Sequence, residues 1–232
     1  MLAITGTSAL GSVTNGSFET GNLDGWESTG LTAAVDDSVD ITPTDGIYQA
    51  LMETNQGGFI GVAQMPALAD DVEDFLGLSV GMLDDLTPEE PTQGSAIRQS
   101  LNLNAGEFIT FDWNFLTDEG FESEFNDFAI VTLVNMTTSA VVLADTFNPD
   151  LPGGSSSNYF AETGYESFAL PAVATTDEYL LGFAVLDATD FSVSSALLID
   201  DVQVVPEPTT LGMVGLLAAA TLMRRQRPAA TV

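Results

Sequence analysis

Alternation of apolar and polar residues over positions 109–115 limits the fold more than any other feature of the chain. Ile109, Phe111, Trp113 and Phe115 are apolar, and the residues between them are polar. This period of two is that of a half-buried β-strand. Further short apolar runs, separated by turn residues, lie at 128–134, 140–144, 179–186 and 196–205. Many short strands at this spacing predict an all-β protein with a β-sandwich.

One segment has a helical period instead. Apolar residues within 66–78 form the stripe expected on one face of a helix, namely Leu68, Val72, Phe75 and Leu76. Gly77 suits the end of such a helix. We therefore predict a short helical insertion near 66–86, with a second short turn around 82–86.

The charge of the chain is strongly acidic. The sequence has 34 acidic residues and four basic ones, and it contains no histidine. Of the four arginines only Arg98 precedes Val204, so the stretch before that residue carries a net charge of about −32. Such a body repels phosphate backbones, which argues against nucleic acid as a partner. Its charge suits divalent cations and saline surroundings alike.

Cysteine and histidine are both absent. The chain therefore has no disulfide framework, no thiolate nucleophile, no Ser-His-Asp triad and no ordinary zinc site. We predict that the protein is not an enzyme. A metal bound here would be a hard cation held by oxygen atoms, which indicates calcium.

The C-terminus carries three features in order. A Pro-Glu-Pro motif precedes the uncharged apolar run 209–223, and three arginines follow it; the motif and the basic residues are Pro206, Glu207, Pro208, Arg224, Arg225 and Arg227. A helix over the apolar run is about 22 Å long, shorter than the ~30 Å hydrocarbon core of a bilayer. We predict a single hydrophobic helix that inserts transiently into the inner membrane, with the arginines in the cytoplasm.

This order of features closely resembles the PEP-CTERM sorting signal of Gram-negative bacteria, a tail also labelled an ice-binding protein C-terminal segment. The resemblance covers 206–232 and implies processing by an exosortase-type enzyme near the Pro-Glu-Pro motif, followed by release or attachment at the cell surface. A plain tail anchor is the alternative.

Proteins with the PEP-CTERM sorting signal also carry a secretory signal. Residues 1–12 are small and apolar without a basic start, so we interpret them as a residual signal peptide whose true start codon lies upstream; an ordinary first strand is the alternative.

The body, residues 13–205, opens and closes with short motifs. The stretch 15–19 reads NGSFE, Gly25 and Trp26 follow, and 198–202 reads LIDDV. These motifs look like the first and last strands of galactose-binding-like jelly rolls, which include carbohydrate-binding modules. The resemblance implies a structural calcium ion held by Glu19 and Asp200.

The residues of the last strand also indicate that Asp200 needs a partner. The strand period places Leu198, Asp200, Val202 and Val204 on one otherwise apolar face, where an unpartnered carboxylate is costly. Calcium would satisfy it, and so would backbone N–H groups at the rim of the sandwich. Both alternatives stay open on the sequence alone.

Other residues suggest further roles. Five acids within 118–127 crowd one loop, which is either solvated or bridged by a cation. Trp26 and Trp113 suit the core, and Arg98 suits a local ion pair. Aromatic residues in loop-like surroundings are candidates for a sugar-stacking platform: Phe121, Phe125, Tyr159 and Tyr165.

Together these features predict an exported cell-surface or extracellular-matrix protein with a glycan-binding, calcium-stabilised sandwich. Its expected partners are the processing enzyme, extracellular polysaccharide and, transiently, the inner membrane. A structural adhesin or matrix component without a defined ligand is one alternative. A glycoside hydrolase using a carboxylate pair such as Glu119 and Glu124 is another, although acids are so numerous that no pair stands out.

Overall fold

A computed structural model describes residues 10–56, 58–60, 64–120, 125–135, 138–146 and 154–207. Within them lie twelve strands and one α-helix. In chain order these are β1 (Glu27–Thr29), β2 (Leu31–Val35), β3 (Gln49–Glu53), β4 (Ala67–Leu68), α1 (Ala69–Phe75), β5 (Pro91–Leu103), β6 (Glu107–Thr117), β7 (Phe128–Val134), β8 (Thr138–Asp145), β9 (Ala161–Glu162), β10 (Glu166–Ala169), β11 (Asp177–Ala188) and β12 (Ser195–Pro206).

The strands form two antiparallel sheets. Sheet A has the order β1-β5-β11-β7-β8, and β4 adds to the start of β5. Sheet B has the order β10-β6-β12-β3-β2, and β9 adds to the end of β6. The longest strands, β5, β11, β6 and β12, lie inside the sheets. The predicted all-β, jelly-roll-like sandwich is confirmed, and the strands expected from the apolar runs are present within a few residues.

Aromatic side chains from both sheets fill the space between them. Phe183 on β11 lies edge-on to Phe111 on β6, with ring centroids 4.8 Å apart, and Trp26 lies 6.0 Å from Phe183. Trp113 is also buried in this core. The alternation over 109–115 therefore places the apolar residues of β6 against sheet A, and both tryptophans belong to the core as expected.

The predicted helical insertion exists but is shorter than its apolar stripe. Residues 67–68 form β4 instead, and α1 begins at Ala69. Val72 and Leu76 are fully buried against sheet A, whereas Leu68 is 60% exposed. Leu68 pairs with β5, and this strand pairing overrides the helical period at that position. Gly77 has a φ of +71°, which ends the helix as expected.

Both ends of the chain lie largely outside the described residues. The predicted C-terminal helix over 209–223 and most of the segment 1–12 are among the undescribed positions. Among the described residues, no helix has the length and apolar character that a membrane span requires. The predicted division into signal segment, body and tail stays a prediction.

We predict that Phe183→Ala lowers the free energy of unfolding by about 3–5 kcal/mol, because it removes a ring from the centre of the core. Phe191→Ala is the matched control: Phe191 is 56% exposed, so its loss should change stability by less than about 0.5 kcal/mol. Urea unfolding followed by tryptophan fluorescence measures both variants. Equal effects of the two substitutions would contradict this description of the core.

Candidate functional site

The side chains of the last strand, β12, do not all lie on the one face that the sequence predicts. A bulge follows Asp200 on β12, with Asp201 at a φ of +48°. Leu198 packs on the outer face of sheet B, whereas Val202 and Val204 pack in the core between the sheets. The prediction that these residues share one face is therefore wrong, because the extra residue of a bulge turns the following side chains to the other side.

Asp200 is fully buried, and backbone N–H groups are its partners. Its Oδ2 accepts hydrogen bonds from the N–H groups of Thr44 and Asp45, both at 2.8 Å, and its Oδ1 accepts one from the N–H of Asp201 at 2.8 Å. Burial raises the pKa of Asp200, and these hydrogen bonds oppose the rise because they favour the charged form. Backbone N–H groups, one of the two partners considered for Asp200, are thus in contact with it.

Glu19 binds the next part of the same loop. Its Oε1 accepts hydrogen bonds from the N–H groups of Ile47 at 2.7 Å and Tyr48 at 2.8 Å. Gly46 has a φ of +71°, and a Cβ there would come within 2.2 Å of the Glu19 carboxyl carbon. The structure thus brings both predicted metal ligands to one segment, residues 44–48. Glycine at position 46 is what lets the Glu19 carboxylate approach so closely.

The donor groups around these carboxylates bear on the calcium hypothesis. The acids accept hydrogen bonds from backbone N–H groups and, at Asp200, also from the hydroxyl of Thr44 at 3.2 Å. These donors compete with a cation for the same oxygen atoms. Among the described residues, no three His, Cys, Asp or Glu side chains group in a way that could hold a metal ion. A calcium ion at Glu19 and Asp200 would therefore need backbone oxygens or water as further ligands, and its binding stays a prediction.

The predicted sorting motif is described only at its start. Pro206 is the last residue of β12, and the N–H of Glu207 donates to the carbonyl of Gly106 at 2.8 Å. The body therefore extends to the motif itself. The other predicted sorting residues lie outside the described residues: Pro208, Arg224, Arg225 and Arg227.

Helix α1 covers only part of the outer face of sheet A. Leu76 lies over Gly182 on β11, where a Cβ would come within 2.4 Å of the leucine methyl carbon. Beyond this contact the face is open and forms a cleft of about 710 Å³. Gly182 thus marks the border between the covered and the open half of sheet A.

Three strands build the floor of this cleft, which we call the sheet A cleft. Ser100 on β5, Leu180 on β11 and Val134 on β7 are direct cross-strand neighbours. Charged groups, Glu27 and Glu178 among them, line the cleft beside this row. The floor is therefore partly apolar and its surroundings are polar, a combination typical of small-ligand sites.

Arg98 also lines the cleft, and its contacts hold it firmly. Its Nη2 lies 2.6 Å from Oε2 of Glu27, and its guanidinium carbon lies 4.4 Å from the ring centroid of Phe75. It also donates to the carbonyl oxygen of Phe75. The expected local ion pair of Arg98 is confirmed, and this pair joins β1 to β5 beside the end of α1.

The aromatic residues proposed for a sugar platform are placed differently. Tyr159 is buried, and its hydroxyl donates to Glu53 at 2.9 Å. Tyr165 is half-buried, and its hydroxyl donates to Gln49 on the outer face of sheet B. Phe125 is half-buried, while Phe121 lies outside the described residues. The three of these aromatic residues that the structure describes do not line the sheet A cleft.

Sequence reasoning missed this cleft as a site. One signal was available, because Arg98 is the only base before Val204 and the strand period places it on the same face as Ser100 and Asn102.

The prediction for the acidic loop was also incomplete. Glu119 and Asp127 are buried rather than solvated.

Comparison with known proteins gives structural likeness only. No family model matches the chain, and no curated protein sequence matches it. It is similar in structure to TmCBM61, solved in complex with β-1,4-galactotriose, with 13% identity and a TM-score of 0.47, covering 84% of this chain and 97% of that one. It is also similar to the K1 cleaved adhesin domain of Lys-gingipain from Porphyromonas gingivalis, with 16% identity and a TM-score of 0.46, over 82% and 96% of the two chains. A family 16 carbohydrate-binding module matches with 12% identity and a TM-score of 0.37, over 83% and 98%.

We predict that calcium raises the melting temperature more than magnesium does at equal ionic strength, because magnesium demands tighter octahedral geometry and dehydrates reluctantly. The stabilisation should reach about 2.7 kcal/mol at a hundredfold excess over Kd. Asp200→Asn should remove the calcium-specific part, whereas Asp70→Asn, at an exposed carboxylate of α1, should keep it. Equal melting temperatures in calcium, magnesium and chelator would contradict the calcium site.

Proposed function

We propose that the body is a glycan-binding domain and that the glycan lies in the sheet A cleft. The observation that carries this proposal is the open half of sheet A, where a floor of Ser100, Leu180 and Val134 is bordered by charged side chains. A sugar ring presents C–H groups that can pack on Leu180 and Val134. Its hydroxyl groups can donate to Glu27 and Glu178.

The charge of the protein favours a neutral glycan. The stretch before Val204 carries a net charge of about −32, which repels uronic-acid or sulfated chains. Arg98 could attract an acidic sugar, but its guanidinium already binds Glu27 and Phe75. Neutral hexose or pentose chains meet no such repulsion.

We predict that Ser100→Trp weakens glycan binding at least tenfold, about 1.4 kcal/mol, because the indole ring fills the cleft floor without removing a core side chain. Ser167→Trp is the matched control, since Ser167 is exposed on β10 of the opposite sheet. Glycan arrays identify the ligand, and titration calorimetry then compares the variants. Wild-type affinity in Ser100→Trp would place the ligand elsewhere.

The same arrays separate the alternatives. Absence of binding to any glycan, with normal attachment of the protein to cells, would favour a structural adhesin or matrix component. We propose that the domain binds without cleaving its ligand, so reducing sugar should not accumulate when the protein is incubated with the polysaccharide it binds. Steady sugar release would instead support a glycoside hydrolase.

We also propose that the protein is exported and sorted through its C-terminal tail. The support is the order of Pro-Glu-Pro motif, apolar run and arginines in the sequence. An exosortase-type enzyme would act near the motif, after which the body would reside at the cell surface or in the matrix.

We predict that removing residues 208–232 abolishes surface attachment and leaves the melting temperature of the body unchanged, because every strand that the structure describes ends before position 208. Surface labelling of cells and thermal unfolding of the purified protein measure the two effects. Replacing Arg224, Arg225 and Arg227 by glutamine in the full chain is the milder variant. Unchanged surface labelling in the truncated strain would contradict sorting by the tail.

A further inference from the structure

Two buried aspartates lie together at one end of the sandwich. Asp127 directly precedes β7, and Asp187 is near the end of β11. Both are fully buried. Burial of two carboxylates in one place is costly unless a cation, a base or a proton neutralises part of the charge.

The two carboxyl groups have unequal sets of donors. Asp127 accepts hydrogen bonds from the N–H of Ala188 at 3.0 Å and from the hydroxyl of Ser195 at 2.6 Å, one on each oxygen. Asp187 accepts one from the side-chain amide of Gln93 at 2.9 Å on Oδ2, while its Oδ1 is buried and has no donor. Asp127 is therefore equipped to be charged and Asp187 is not.

The strand register places the two acids next to each other, since Leu186 pairs with Phe128 and the N–H of Ala188 donates to Asp127. Two ionised carboxylates buried side by side repel each other, which favours a state in which one of them is protonated. The oxygen without a donor, Oδ1 of Asp187, is the one that a proton would satisfy.

Within the part of the chain that the structure describes, no base neutralises the pair. Arg98 is the only basic side chain among the described residues, and it binds Glu27 and Phe75. The described acids also form no group of three that could hold a metal ion. A third carboxylate, Glu119, adds negative charge near Asp127.

We propose that Asp127 and Asp187 share one proton at neutral pH, and that this proton holds the start of β7 to the end of β11 and is lost in alkaline solution. Both strands belong to sheet A, and Ser195, which begins β12 of sheet B, donates to Asp127 beside them. Ser195 is tied further to the end of β3, since its N–H donates to the Thr54 hydroxyl at 2.9 Å.

The direction of the pH effect follows from the pKa values. Burial raises the pKa of Asp187 to about 9, and the charge of Asp127 contributes to this rise. Burial raises the pKa of Asp127 to about 6, with Glu119 adding to the effect. Because the unfolded carboxyl has a pKa of about 3.9, the folded protein keeps a proton that the unfolded chain has lost. Between about pH 6 and about pH 9 the folded pair holds one proton that the unfolded chain has lost. Stability therefore falls as pH rises through this range, by up to tenfold in the unfolding constant per pH unit.

Few other side chains titrate in the upper part of this pH range. The chain has no histidine and no cysteine, so no side chain of ordinary pKa titrates between about pH 6.5 and about pH 9. Nearby acids bind elsewhere: Glu53 accepts from Tyr159, Asp118 from the N–H of Phe160, and Asp190 from the N–H of Ser192. Burial also raises the pKa of Asp118 and of Asp200, so the part of the slope that Asp187→Asn removes is the part that reports on the aspartate pair.

The test is urea unfolding of the full chain between about pH 6.5 and about pH 8.5, in chelator at fixed ionic strength. The wild-type unfolding constant should rise about a hundredfold over these two pH units. Asp187→Asn should remove the slope, because its amide is always neutral, donates to Asp127 and still accepts from Gln93. Asp177→Asn, at an exposed carboxylate at the other end of the same strand, should keep the wild-type slope.

Infrared spectroscopy of the wild-type protein tests the proton directly and does not depend on whether a variant folds. The carbonyl band of a protonated carboxylic acid should be present at about pH 7 and vanish on alkaline titration. Absence of this band, or a wild-type slope retained in Asp187→Asn, would overturn the proposal. A wild-type slope that calcium abolishes would also overturn it, since a cation would then neutralise the pair.

Discussion

Hydrogen bonds from backbone N–H groups to carboxylates hold the long loops of this protein against its two sheets. Each of several acids accepts at least two of these bonds, most of them from one loop segment: Glu19, Glu53, Glu73, Glu107 and Asp200. In most proteins a buried carboxylate would pair with arginine or lysine. Here the chain has four basic residues against 34 acids, so backbone N–H groups take that role.

This arrangement has a consequence for the electrostatics of the fold. A charged carboxylate forms stronger hydrogen bonds than a neutral acceptor. Burial alone would raise the pKa of Glu107, but hydrogen bonds from Asn104 and Gly11 lower it. The contacts that Asn104 and Gly11 make with Glu107 are therefore strongest while Glu107 is ionised. Asp187 differs because one of its oxygens lacks a donor. Burial therefore raises the pKa of Asp187, whereas the pKa of Glu107 is lowered.

The two outer faces of the sandwich differ in how far they are covered. Loops that contain segments 41–45 and 58–60 cover the outer face of sheet B, where Leu51 and Leu198 pack beneath them. On sheet A, α1 covers one part and leaves the cleft floor of Ser100, Leu180 and Val134 open. Gly182 makes this division possible, because Leu76 can approach β11 closely only where no side chain stands.

The sequence by itself determined the architecture where a local period was strong. Alternation over 109–115 predicted β6 and its buried face, because a strand between core and loops repeats every two residues. The contacts that combine distant segments were decided only by the tertiary structure. The bulge after Asp200, the loop at Gly46 and the meeting of Asp127 with Asp187 leave no periodic trace. They depend on register between strands and on the path of loops, which nonlocal packing sets.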